Sequence, residues 1–336
     1  MPPLVEVAPD ASAAELLARV GILSRQEEVP PHLQRFVQQV DRVLPRVQQA
    51  AEEPGEAARP LAFQQLLVDA AARILSHPVI ASNRYLERFA DGVTEAQARH
   101  ECQQFSVYTI HFDVARAKAI ANAPTPELYR ERLYVLLNEK GVPYEKGYGD
   151  ELSGVWSPES VHFAWMQKMA EGLGLTFEEF GKIWRARPGT VALVETTMET
   201  YASADASIAC GAAFALDCWS AGALWTSWIA GMEKLNATRS RPVNISYLYY
   251  HEGEQEHRSQ VTLDRLWRDF RQPWFDADRF LAGAERMLTD GVQAYYVSQL
   301  ESLPQRDPSW PAQAVAPRQL APETLPRITA TSVSVG

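Results

Sequence analysis

Ala204–Lys234 reads ADASIACGAAFALDCWSAGALWTSWIAGMEK, a run with no proline and none of the apolar–polar alternation of a half-buried strand. Its small residues and its tryptophans, Trp219, Trp225 and Trp228, predict one long buried helix in which the three indoles are core. Asp217 interrupts the run between Leu216 and Cys218. Burying an unpaired carboxylate is expensive, so Asp217 implies either a cation beside it or a structural hydrogen-bond partner.

Helical spacing continues on both sides. Downstream, Tyr247–Phe270 and Asp276–Leu300 are predicted helices. Upstream, Thr176-Phe177-Glu178-Glu179 carries a helix-start signal. So does Ser157-Pro158-Glu159, whose helix is expected to run through Val161, Phe163, Met166, Met169 and Leu173 to Gly174. Residues 141–157, with four glycines and no sustained period, predict a loop. Before it, Pro126 opens a helix that stops near Gly141-Val142-Pro143. Thr94 caps a long helix to Ala123, and Leu61–Leu75 and Leu33–Ala51 show the same period. A shorter pattern covers Ala14–Ile22. The expected organisation is an N-terminal helical extension and linker over 1–60, a helical domain over 61–302, and a disordered tail over 303–336, where six prolines meet few large apolar residues. No dinucleotide fingerprint, phosphate loop or nucleophile elbow is present. The fold class is all-α, with eight or more helices around one core.

The charge balance narrows the function classes. With 42 acidic against 32 basic residues the formal net charge is -10, which argues against a nucleic-acid or anionic-membrane binder. No apolar run reaches the roughly 18 residues of a spanning helix, and Met1-Pro2-Pro3 opens no signal peptide. A cytoplasmic location is the expectation. Cys102, Cys210 and Cys218 form neither a CxxC pair nor a disulfide framework and are read as buried, inert thiols.

The chemistry lies with a few of the seven histidines. In His251-Glu252-Gly253-Glu254-Gln255-Glu256-His257, two imidazoles flank Glu254 at three-residue steps along a helix. Iron(II) and manganese(II) take such mixed nitrogen and oxygen ligands. The same residues also suit an exposed acidic turn. His162 follows Glu159 by one turn, and Glu139 ends the preceding helix. Glu101, Gln104, Tyr108 and His111 line one side of the Thr94 helix, as a substrate-pocket face or as a polar outer face.

This order of residues resembles the haem-oxygenase-like diiron oxidases, relatives of the thiaminase-II and pyrroloquinoline-quinone-synthase helical fold. In that family a Glu and a His come from early core helices, a second acid from a long central helix, and a His-x-x-x-Asp-x-x-His run from a later one. Here Glu139, His162 and Asp217 come in that order. Asp217 falls 55 residues after His162, and His251 falls 34 after Asp217. The similarity covers roughly 61–300. It implies a haem-oxygenase-like helical bundle holding two Fe(II) per chain, with Glu139, His162, Asp217, His251, Glu254 and His257 as ligands and Glu159 as an alternative to Glu139. Two departures stand out. The second acid is Asp217 where the family usually has Glu. The later run, His251-x-x-Glu254-x-x-His257, is one residue short, so that its ends drift by about 120° around the helix. Either Gly253 permits a local distortion that brings His251 in, or His251 is not a ligand.

The resemblance further implies an O2-dependent oxidase or oxygenase of secondary-metabolite biosynthesis. It would N-oxygenate, or oxidatively cleave a C–C bond of, a small amine, amino acid or acyl substrate. A carrier-protein or reductase partner and a homodimer go with that expectation. Two alternatives remain. One is a metal-free enzyme of the thiaminase-II or quinone-synthase type, which needs an activated cysteine. The other is a non-catalytic helical interaction protein.

Overall fold

Helix after helix starts where a side chain can take the first free backbone N–H groups. The computed structural model describes residues 29, 31–50, 58–146 and 151–301 (backbone alone at 31, 58, 255–261 and 301), and among them the bundle is built from thirteen α-helices. They are α1 Pro31–Ala50, α2 Ala58–Ala70, α3 Pro78–Ala81, α4 Arg84–Asp91, α5 Glu95–Ala121, α6 Pro126–Glu139, α7 His162–Gly172, α8 Pro188–Glu199, α9 Ala206–Trp219, α10 Trp225–Ala237, α11 Ser246–Phe270, α12 Ala277–Arg286 and α13 Ala294–Glu301. Asn83, Thr94, Thr125, Asp205 and Asp276 cap α4, α5, α6, α9 and α12 through their side-chain oxygens. At Thr94 the reciprocal bond from Gln97 completes a capping box. Among the described residues the fold is all-α, and the only strand-like pairings are two isolated antiparallel bridges, Lys140 with Val161 and Tyr144 with Leu152.

Four sequence expectations need correction. The long Ala/Trp-rich helix is two helices, because Gly222 takes a non-helical conformation inside a wide turn over Ser220–Leu224. Thr176 does bind Glu179, but no helix follows: Glu179 also pairs with Arg99, and Gly181, at φ 68°, turns the chain so that its N–H donates to Ser106 on α5. Pro158 opens a single 3-10 turn, Ser157 spends its hydroxyl on Glu159, and the helix proper begins at His162. Finally, the helical run Ala206–Ala237 is long and apolar enough, by length and composition, to cross a membrane. Half of its most apolar window is buried inside the bundle, as in a core helix. The Ala14–Ile22 helix and the 303–336 tail lie outside the described residues.

One hydrophobic core takes side chains from every described α-helix except α6, so α1, with Leu33, Phe36, Val40 and Val47, shares the core of the 61–302 helices. α9 packs closely on α12. A Cβ at Gly211 would lie 1.9 Å from the Phe280 carbonyl oxygen, and one at Gly283 2.4 Å from that of Ile208. Only glycine permits that approach. For the site, the decisive contacts are α5 with α6 and α7, and α11 with α7 and α10.

Candidate metal centre

Glu139, His162 and His251 each offer a ligand atom to one point: these atoms lie within 4.8 Å of one another, and all three residues are buried. Glu139 is the last residue of α6 and His162 the first of α7. The two are neighbours because the residues between them pair: Lys140 bridges Val161, and the Ser157 N–H donates to the Gly141 carbonyl at 2.8 Å. Gly141, at φ 98°, makes the turn. A Cβ there would meet the Ser157 carbonyl at 2.5 Å. The 141–157 loop, which no sequence period explains, thus brings the carboxylate to the imidazole.

A carboxylate at a helix C-terminus faces the negative end of the dipole and needs compensation. The buried Arg116 guanidinium of α5 supplies it, 2.8 Å from Oε1 of Glu139. Burial alone would raise the Glu139 carboxyl; Arg116, then His162, outweigh it and hold the group well below the ordinary carboxylate range. Its second oxygen, Oε2, lies 2.8 Å from Nδ1 of His162. That nitrogen is nevertheless buried without an aligned hydrogen bond.

His251 comes from α11. Its Nδ1 lies 2.7 Å from the Tyr247 carbonyl, which can only accept, so Nδ1 is the donor of that bond and Nε2 is the other ring nitrogen on offer to the cluster. A backbone carbonyl holding the far nitrogen is the usual support of a metal-ligating histidine. The helix runs unbroken through Gly253. His251 therefore comes beside Glu139 and His162 with no distortion at Gly253, the first of the two alternatives that its shortened spacing left open. Aromatic rings enclose the imidazoles. Trp165 stacks on His162 at 5.0 Å and 17°, Tyr250 meets it edge-on at 4.6 Å, and Trp225 lies 4.9 Å from His251.

The other sequence candidates lie elsewhere. Glu159 is exposed and bonded to Ser157, so it is no substitute for Glu139. Glu254 is buried one turn beyond His251 and accepts from the Tyr250 hydroxyl at 2.7 Å; it is outside the three-residue cluster. Asp217 is outside it too, but lines the same cavity as Glu139 and His251. The side chain of His257 lies outside the described residues. Of the predicted pocket face, Tyr108 lines the cavity. Glu101 instead accepts from Tyr85, Tyr295 and Gln299, and Gln104 accepts from the Arg187 N–H and Thr190. His111 is half-buried and is not part of the cavity wall. Sequence reasoning missed Arg116 and Trp165. Arg116 has one legible sign, a cation between Ala115 and Ala117 where the α5 pattern is apolar.

The cavity at the cluster has a volume of about 200 Å³, with Tyr108, Phe112, Trp219 and Trp225 among its walls. Cys210 also lines it. Burial, with Asp269 beside it, pushes that thiol up to about 12, and burial raises Cys102 and Cys218 as well. No protein-family model matches the chain, and no curated protein is similar to it in sequence.

Proposed function

We propose that this chain is a non-haem iron, O2-dependent oxidase or oxygenase whose primary metal is held by Glu139, His162 and His251. The observation that carries the reading is the buried convergence of two imidazoles and one carboxylate within 4.8 Å. Two histidines and a carboxylate with open positions are the donor set of non-haem Fe(II) oxygenases. When bound there, ferrous iron would supply the electrons that activate dioxygen for oxidation of a substrate in the cavity.

The protein's own residues have separate tasks. Arg116 takes Oε1 of Glu139 and leaves Oε2 for the centre. The Tyr247 carbonyl accepts from Nδ1 of His251 and so orients the ring. Trp165, Tyr250 and Trp225 exclude water from the imidazoles. The aromatic cavity walls suit a small molecule with an apolar body, in keeping with an amine, amino acid or acyl substrate. The same reading carries the haem-oxygenase-like identity of the bundle, a cytoplasmic location and a reductase or carrier-protein partner. It places any second iron at Asp217, Glu254 and His257.

The raised thiols favour this reading over a cysteine nucleophile, because a thiolate does the attacking in that chemistry. A metal-free reading draws support from one observation, the Arg116–Glu139 ion pair, which already balances the carboxylate. Anaerobic loading with ferrous iron, metal analysis after desalting and an absorbance scan on adding oxygen separate the two. Bound iron and an oxygen-dependent change in absorbance are expected. A protein that retains no iron, and whose spectrum does not respond to oxygen, contradicts the oxidase.

A further inference from the structure

A second cavity, of about 390 Å³, lies between α1 and the broken α9–α10 junction. His32, Arg35, Phe36 and Gln39 of α1 form one wall, and Cys218 and the kinked Gly222 belong to the other. It adjoins the cavity at the metal centre. Phe214, Asp217 and Thr262 line both cavities, so these three residues form the partition between them. Arg35 reaches across the junction and donates to the Ala221 carbonyl at 3.2 Å, which ties α1 to the kink.

The inner cavity, at about 200 Å³, falls below the roughly 300 Å³ at which pockets for drug-sized ligands begin. A substrate of more than modest size therefore cannot lie wholly beside Glu139 and His251. We propose that the outer cavity is the vestibule through which substrate reaches the centre and in which its non-reacting part stays, with Phe214 setting the width of the passage. The substrate is then a two-part molecule: a slender reacting end that passes Phe214, and a bulkier remainder held against α1. This deepens the oxidase reading of the same site, but its test needs neither metal nor turnover.

The cysteines report the two compartments separately. Cys218 lines the outer cavity, Cys210 the inner one, and the fully buried Cys102 lines neither. The experiment measures modification of each thiol in the full chain by methylmercury and by the larger p-mercuribenzoate. Wild type is compared with Phe214→Trp and Phe214→Leu. Comparing each cysteine with itself across variants cancels differences in thiol acidity.

The vestibule predicts that Phe214→Trp slows Cys210 about tenfold, equivalent to about 1.4 kcal/mol on the access barrier, and leaves Cys218 unchanged. Phe214→Leu should speed Cys210, most visibly with the larger reagent. Unchanged Cys210 rates in both variants would overturn the proposal and indicate access through the charged side of the inner cavity at Glu131, Arg265 and Arg268. Phe214 also packs on Phe280, so far-UV circular dichroism of each variant checks folding. If the Trp variant fails that check, the Leu variant alone decides by the sign of its effect.

Discussion

Arg116 carries the clearest prediction at the scale of single residues. It faces Glu139 in a buried pair, and removing one member of such a pair strands the other charge. Arg116→Met should destabilise the metal-free protein by about 3–5 kcal/mol, measured by urea denaturation. Ferrous or cobaltous ion should then restore more stability to the variant than to wild type, because the metal replaces the lost cation. An equal increment in both would separate Arg116 from the centre.

Glu101 gives a prediction of opposite sign to the usual acid effect. Its burial pushes the carboxyl up to about 6, and the bonds from Tyr85, Tyr295 and Gln299 offset this only in part. The folded protein thus binds a proton that the unfolded chain releases at about 4.5. The contribution is full below the unfolded value and is lost as the pH rises through 6, a span of about 2 kcal/mol. Denaturation midpoints between pH 4 and pH 7 should show that loss, and Glu101→Gln should flatten it.

At the scale of elements, the Gly141 turn matters more to the site than any helix boundary. It sets the Lys140–Val161 bridge that holds Glu139 against His162. Gly141→Ala should cost several kcal/mol, through the positive φ and the clash with Ser157, and metal retention should fall with stability. A variant that melts like wild type and binds metal normally would refute the role given to the turn. Much of the element scale was legible in the sequence. Thr94 caps its helix, and Pro126 and Asp276 open theirs, because those signals need only neighbouring residues. The Thr176 signal is just as local but fails, since Gly181 and the docking on Ser106 override it. The break at Gly222 gives no such signal, because one glycine in a run of small apolar residues leaves the helical period intact.

At the scale of the molecule, the candidate site draws on α5, α6, α7 and α11, which span more than a hundred residues of chain. Sequence order alone could propose Glu139, His162 and His251 together, through their likeness to a known ligand series. It could not show that His251 reaches the other two from an undistorted helix. Nor could it show that Glu159 faces solvent, or that Arg116 completes the charge balance, since those facts belong to packing. The α1 helix is part of the same whole. Removing residues 1–50 would uncover Phe36, Val40 and Val47 partners in the core and one wall of the outer cavity. Such a truncation should abolish cooperative thermal unfolding; a sharp transition near that of the full chain would show that α1 is dispensable to the fold.

The most direct test of the metal centre is an anaerobic titration with cobalt(II), a coloured stand-in for ferrous iron, on wild type, His162→Ala and His251→Ala. Visible ligand-field bands should saturate in wild type and be lost or strongly weakened in each variant, while circular dichroism shows all three folded. Absence of those bands in wild type, or identical saturation in all three proteins, would contradict a metal held by Glu139, His162 and His251.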